Sequence, residues 1–402
     1  MTTAGIIVEY NPLHCGHVHL MQEIRRKLGA EAAIVCCMSG DFVQRGDFAL
    51  VRRQARAKAA VESGADLVLE LPVQWAVSSA ERFAAGGVQT LLATGVVTHL
   101  AFGSECGDGD ALMNLAAALE SEDFSALLKE ELRMGDSFPA ARQRAGARLL
   151  TAEKAALLAS PNNTLGIEYC KALRRAGSGI SVLTVPRLGA PHGSVDLGGV
   201  TSSASAIRAA LRRGKRHQAL DAMAPAMAQA YREEEAAGRA PVFCEESERA
   251  ILGKLRSMTR ADFAALDEGK EGLYNRLYQA SRTAVSLEEV LDRAKTKRYP
   301  HARLRRMVIW SYLGLRPGDF PAQPLYLRPL AANERGRALL GRMRKSAALP
   351  ILTKSGDVRR LSEKAQRLFE QEAAAADLYT LGYPELSAAA GGSLWREGLI
   401  LL

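Results

Sequence analysis

Two histidines three residues apart, His14 and His17, stand near the start of the chain in the run Glu9-Tyr10-Asn11-Pro12-Leu13-His14-Cys15-Gly16-His17. A helical turn would set both imidazoles on one side. There they can donate to phosphate oxygens and offset charge building on a departing pyrophosphate. The run leaves a predicted strand, turns at Asn-Pro and enters a predicted helix. Such a turn places free backbone N–H groups and the positive helix end beside a bound anion. Gly16 allows backbone to approach a ligand where a Cβ would clash. The plainer alternative is a pair of histidines in an ordinary strand-to-helix loop.

Five further runs carry groups of the same kind. Ser39-Gly40-Asp41-Phe42-Val43-Gln44-Arg45-Gly46 follows the second predicted strand, and its two glycines suit a loop that wraps a ligand, with Arg45 offered to a carboxylate or phosphate. Phe102-Gly103-Ser104-Glu105 closes the fourth strand, where Gly103 lets an adenine or ribose rest on the backbone. Ser160-Pro161-Asn162-Asn163-Thr164-Leu165-Gly166 joins a cap-like Ser and a Pro at the first helical position to paired amides that suit a base or ribose edge. Pro186-Arg187-Leu188-Gly189 follows the fifth strand, and Thr201-Ser202-Ser203-Ala204-Ser205-Ala206-Ile207-Arg208 opens a helix with hydroxyls and one cation. Each run alone is also a plain loop or cap. All of them fall at strand carboxyl ends or helix N-termini, which argues for one shared rim.

The elements that must position them alternate. Strands are predicted over Ala4–Glu9, Ala32–Met38, Asp66–Leu71, Val96–Phe102 and Ile180–Val185. Helices are predicted over Gly16–Leu28, Ala49–Ser63, Ser78–Ala93 and Pro161–Arg175. This alternation predicts an α/β, Rossmann-like fold with a parallel sheet, ligands binding beyond the strand carboxyl ends. After about Gly214 the pattern turns Ala-rich, charged and helical, apart from a Pro-rich stretch from Arg316 to Pro329. Two domains are therefore expected, residues 1–214 and a mainly helical 215–402.

Composition narrows the class. Apolar residues make up 48% and charged residues 24%, an ordinary globular balance. No apolar run reaches the roughly 18 residues a membrane span needs, and a cytoplasmic protein is expected. The six cysteines form no C-x-x-C pair or zinc spacing and are read as reduced thiols. Net charge is +9, and between Arg293 and Arg360 there are 17 Lys/Arg against three Asp/Glu. That basic segment, with Tyr299, Trp310 and Tyr312 among its cations, is the expected seat of nucleic-acid backbone contacts and base stacking. A solvated basic helical face is the alternative.

His14-Cys15-Gly16-His17 resembles the H-x-G-H signature of nucleotidyltransferases and class I aminoacyl-tRNA synthetases, the HUP-type fold. Thr201–Arg208 resembles, in a looser form, the I-S-S-T-x-x-R element of the transferases. Taken together, VEYNPLHCGH, MSGDFVQRG, FGSE and SPNNTLGIEY are similar to the bacterial tRNA(Met) cytidine acetate ligase family, over about Ala4 to Arg213. The resemblance implies N4-acetylation of the wobble cytidine of elongator tRNA(Met) from free acetate and ATP, through acetyl-adenylate with release of pyrophosphate. It implies ATP contacts along Ile7, Val8, Glu9, Tyr10, Asn11, Pro12, Leu13, His14, Cys15, Gly16, His17, Val18, His19 and Leu20, with further contacts at Gly103, at Asn162 or Asn163, and at Arg187-Leu188. His14 and His17 are the catalytic candidates. No protein-held metal is read from the sequence, and Mg2+ accompanying ATP, the oligomeric state and the base for the amine stay open. Two rivals share these motifs: a small-molecule adenylyltransferase of the pantetheine-phosphate or nicotinate-nucleotide type, and a non-catalytic RNA-binding protein.

Overall fold

The computed structural model describes residues 1–135, 137–187, 202–266, 268, 272–297 and 299–402. Its centre is a seven-stranded sheet. The strands are β1 (Thr3–Val8), β2 (Ala33–Ser39), β3 (Leu67–Leu71), β4 (His99–Ser104), β5 (Ser181–Pro186), β6 (Pro329–Ala332) and β7 (Ile400–Leu401). Their spatial order is β5-β4-β1-β2-β3-β6-β7. The first five are parallel, β6 runs antiparallel to β3, and β7 is parallel to β6. All five strands expected from the sequence are present, shifted by up to three residues at their ends. The last two arise from the segment expected to be helical. β6 begins at Pro329, a first-residue position where the missing N–H costs no ladder bond.

Helices cover both faces. Those that matter for the site are α1 (Cys15–Leu28), α2 (Arg53–Glu62), α3 (Ala80–Ala93), α4 (Pro161–Arg175), α5 (Ala204–Arg212), α6 (Pro225–Ala236), α7 (His301–Leu313), α8 (Glu334–Ser346) and α9 (Glu363–Thr380). Strand residues alternate between two apolar cores, as a pleat of period two requires. Ile7, Val35 and Leu69 pack with Phe83, Phe102 and Phe369 on one face. Ile6, Ile34 and Val68 pack with Met21, Val61 and Tyr231 on the other. A third cluster joins the Phe42–Phe48 hairpin to Trp310 and Tyr312 of α7 and Tyr379 of α9. Burial on both faces is why these strands read as continuous apolar runs. The six thiols are free, and Cys36 and Cys37 are fully buried among the apolar residues.

One helix differs from its sequence pattern. α2 was expected from Ala49, but it starts at Arg53 and is buried nearly all round. Its late start has a local cause. The Asn11 Oδ1 accepts the Leu50 N–H at 2.7 Å, and the Asp41 Oδ1 accepts the Arg53 N–H at 2.8 Å, so residues 49–52 are held out of the helix. Its burial turns Arg53 and Arg56 inward. Arg56 is completely buried and donates from Nη1 to the carbonyls of Glu9 (2.6 Å) and Ser39 (3.1 Å), from Nε to Val51 (2.7 Å), and from Nη2 to Gly40. Arg53 pairs with Asp41, Glu70 and Glu397.

A single guanidinium therefore joins the ends of β1 and β2. Arg56→Met would leave those buried carbonyls without a donor, and we expect a loss of about 3–5 kcal/mol. Urea unfolding monitored by circular dichroism measures it, and a loss below about 1 kcal/mol would show that water replaces the guanidinium.

Candidate nucleotide-binding site

The chain runs outward from β1 through β2 and β3 on one side and through β4 and β5 on the other. The carboxyl ends of β1 and β4 therefore flank the switch point of the sheet, where a crevice is left between diverging loops. His14 and His17 come from the end of β1, Gly103 from β4 and Arg187 from just beyond β5.

The turn after β1 is tightly held. Tyr10 takes a positive φ of 49°, and the Asn11–Pro12 bond is cis. Asn11 is buried, and its Oδ1 accepts from Leu50 N and from Arg208 Nη1 at 3.0 Å. Helix α1 then starts at a reciprocal cap made by the two imidazoles. The Gly16 N–H donates to His14 Nδ1 at 3.1 Å, and the His14 N–H donates to His17 Nδ1 at 3.2 Å. The rings lie 3.8 Å apart between centroids, and the Tyr10 ring meets His17 edge-on at 5.0 Å. A Cβ on Gly16 would come within 3.0 Å of His14 Cε1, so the glycine makes room for that imidazole.

These bonds fix the proton. Each Nδ1 uses its lone pair as an acceptor, so the neutral ring carries hydrogen on Nε2. Burial, reinforced by the Arg187 charge, lowers the His14 pKa from its ordinary 6.5 to about 4. Burial, His14 and Arg187 hold His17 well below the ordinary imidazole range. At neutral pH both rings are uncharged, each with one Nε2–H as its remaining donor. Preset donors of this kind stabilise charge that develops on a leaving group without reorganising.

The amide pair divides its work. Asn163 is buried, and its Oδ1 accepts the N–H groups of Glu105 (3.0 Å) and Cys106 (3.3 Å), which shapes the turn after β4. Asn162 is half-buried, donating from Nδ2 to Glu105 Oε1 at 2.6 Å and accepting from Arg187 Nη1 at 3.0 Å. Despite partial burial, the hydrogen bonds from Asn162 and Asn163 hold the Glu105 carboxyl below its ordinary range. Gly103 lies under Arg187, whose Cγ a Cβ would meet at 3.4 Å. Gly166 has a packing role: a Cβ there would collide with Phe102 Cε2 at 2.6 Å. Ser160 occupies the cap position of α4 without a capping side-chain bond.

Glu9 stands between the two halves of the rim. Its Oε1 accepts the Gln44 N–H at 2.7 Å. Burial raises its pKa against the opposing pull of that bond and of Arg45, Arg56 and Arg208. A half-buried carboxyl of this kind is suited to accept a proton from a reacting amine.

Three expectations change. Arg208, read as a cation for phosphate, is buried and directed at Asn11, the Phe48 carbonyl and Asp47 (2.7 Å), so it fixes the Asn11–Pro12 turn. Ile7, Val8, Tyr10 and Leu13, expected along the ATP-contact stretch, have their side chains in the apolar cores. Tyr299, Trp310 and Tyr312 are buried and cannot stack on bases: Trp310 donates to the Val77 carbonyl and Tyr312 to Leu378. In the same basic segment Arg306 pairs with Glu268 and Arg328 with Glu70, while Arg337, Arg342, Arg344 and Lys345 of α8 stay exposed. Ser203 caps α5 through the Ala206 N–H at 3.1 Å. Leu188 and Thr201 lie outside the described residues. Arg56 and Glu105 were missed as organising residues, because nothing in their spacing shows which way they point.

The fold and the site define a HIGH nucleotidyl transferase, and the sequence profile of the HIGH Nucleotidyl Transferase family matches residues 1–392. A protein of Acetivibrio thermocellus named tRNA(Met) cytidine acetate ligase is 36% identical over 417 residues, covering 100% of both chains. A protein of the same name from Fervidobacterium nodosum is 35% identical over 96% of this chain and 95% of its own. Two crystal structures of Thermotoga maritima TmcAL, 31% identical and covering 100% of both chains, superpose with TM-scores of 0.95 for the apo form and 0.93 for one bound with alpha-thio ATP. The chain belongs to the tRNA(Met) cytidine acetate ligase family.

The His14 assignment has a pH signature. Its folded pKa lies below the unfolded one, so the unfolded chain binds the proton first as pH falls. The stability that goes with neutral His14 is complete above about 6.5 and is lost towards about 4. Between about pH 7.5 and about pH 4.5, His14→Asn should lose about 2–3 kcal/mol less than the unaltered protein. Urea titrations at the two pH values test this, and equal losses would reject a buried neutral His14.

Proposed function

We propose that this protein joins acetate to the N4 amine of the wobble cytidine of elongator tRNA(Met) at the expense of ATP. Acetate attacks the α-phosphate of ATP, forming acetyl-adenylate and releasing pyrophosphate. The cytidine amine then attacks the acetyl carbonyl, and AMP leaves with the bonding electrons. Acetate is a poor acyl donor and a cytosine amine a weak nucleophile, so adenylation and proximity carry the chemistry.

The observation that carries this reading is the His14–His17 cap, which sets two neutral Nε2–H donors at the switch point of the sheet. We assign them to the phosphates, with Gly103, Asn162 and Arg187 as the further nucleotide contacts. Asn162 is preferred over Asn163 because Asn163 is buried and its carbonyl is committed to the turn after β4. Glu9 is the carboxyl we place nearest the amine's proton. Residues 1–214 hold the ATP motifs, and residues 215–402 supply the exposed cations of α8 for the tRNA backbone. No helix among the described residues is long and apolar enough to cross a membrane, and we place the reaction in the cytoplasm, where tRNA is. The small-molecule adenylyltransferase and the non-catalytic RNA binder are disfavoured by relatives that match from end to end and carry the ligase name.

Incubation with labelled acetate, ATP and tRNA(Met), followed by mass spectrometry of the nucleosides, should reveal N4-acetylcytidine. Pyrophosphate release should depend on acetate. In His14→Ala and His17→Ala that release should fall by roughly 100-fold or more, the scale of losing an oxyanion-type donor. Label absent from the RNA would reject the ligase reading. Full turnover in the variants would reject the histidine roles.

A further inference from the structure

Of the three tryptophans, Trp75 and Trp310 are buried at 6% and 5% exposure, whereas Trp395 is 42% exposed. Trp395 meets Phe369 of α9 edge-on, 4.8 Å between centroids, and stands at the rim of a cavity of about 280 Å³. Arg359, Gln366, Glu370 and Ser355 also line this cavity. Gln366 and Glu370 are four apart on α9 and so share one face. Gln366 donates Nε2 to the Leu361 carbonyl at 2.9 Å, which fixes the orientation of its amide. The cavity thus combines an indole, a fixed amide, a carboxylate acceptor and one guanidinium donor. That set suits a flat heterocycle with hydrogen-bonding edges.

Position and charge identify the occupant. β1, β2 and β3 end at the rim that carries the ATP motifs. β6 is antiparallel to β3 and therefore begins at that rim, and β7, parallel to β6, begins there as well. Trp395 lies just before β7, and Glu397 reaches Arg53 at 2.8 Å, beside the Asp41 loop. Four strand spacings separate β1 from β7, or roughly 19 Å at ~4.8 Å each. Lys354, Arg359, Arg360, Lys364 and Arg367 are exposed along the adjoining segment. An RNA strand that reached from the first site to the second would bring its phosphates to these cations.

We propose that this cavity takes an unpaired nucleobase of the RNA substrate, stacked on Trp395, while the cytidine reacts at the His14–His17 rim. The inference rests on the ligase reading for the identity of the RNA. Stacking on Trp395 contributes to RNA binding and leaves the acyl chemistry to the first site.

Two measurements test it on the full-length enzyme. Titration with a tRNA(Met) transcript, without ATP or acetate, should quench tryptophan emission saturably, and the quench should vanish in Trp395→Leu. In steady-state acetylation, Trp395→Leu should raise the KM for tRNA about tenfold with kcat little changed, and Trp395→Phe should recover most of that. Glu370→Gln, a change at an exposed side chain, should raise the same KM a few-fold. An unchanged KM in Trp395→Leu, or equal quenching by a blunt RNA duplex of the same length, would overturn the proposal. If the unaltered enzyme binds and quenches with tRNA yet releases no acetate-dependent pyrophosphate, the ligase reading fails and the base pocket stands.

Discussion

The Arg56 guanidinium is the constraint on which the rest depends. Loops at the carboxyl ends of parallel strands leave carbonyls pointing at one another, and closing a ligand crevice over them buries those carbonyls. Arg56 answers four of them at once and so fixes where β1 stops relative to β2. Glu9 can then face the crevice, and the Asn11–Pro12 turn can deliver His14 to the start of α1. Arg208 secures the same turn from the opposite side through Asn11. The two buried arginines act as scaffolding, and the histidines need no strong interactions beyond their own cap.

That arrangement explains why the site can use neutral imidazoles in an otherwise cationic rim. Arg187 and Arg45 stand at the same strand ends, and cations so placed attract a polyanion. Burial, with the Arg187 charge added to it, disfavours protonated His14 and His17. Charge for capture and neutral donors for the reaction are thus separated in space, though both lie within a few residues of the strand ends.

Much of this was legible in the sequence, and what was not has a physical reason. The five parallel strands were readable because burial on both faces makes them apolar throughout, and the rim was readable because its loops carry Gly, Asn and His at strand ends. β6 and β7 escaped notice because four-residue and two-residue strands have no period to detect. The inward turn of Arg53 and Arg56 was not readable, since a basic helix looks the same whether water or carboxylates and carbonyls receive its cations. Tyr299, Trp310 and Tyr312 show the converse: aromatics among arginines suggested an RNA surface, but they pack the third core while the charges project past them. Asn162 and Asn163 look alike in sequence, and their different burial and partners are visible only in the fold.

The placement of β7 bears on how the molecule is made. Residues 397–401 complete both the sheet edge beyond β6 and the ion pairs of Arg52 and Arg53. During synthesis those partners trail β3 by more than 300 residues, a delay on the order of half a minute at ~10 residues per second. Until then the nascent chain carries an open strand edge and an inward-facing arginine with part of its countercharge missing. A chain cut before residue 397 would keep its nucleotide motifs and leave β6 without its outer neighbour, the kind of species that chaperones and proteases recognise.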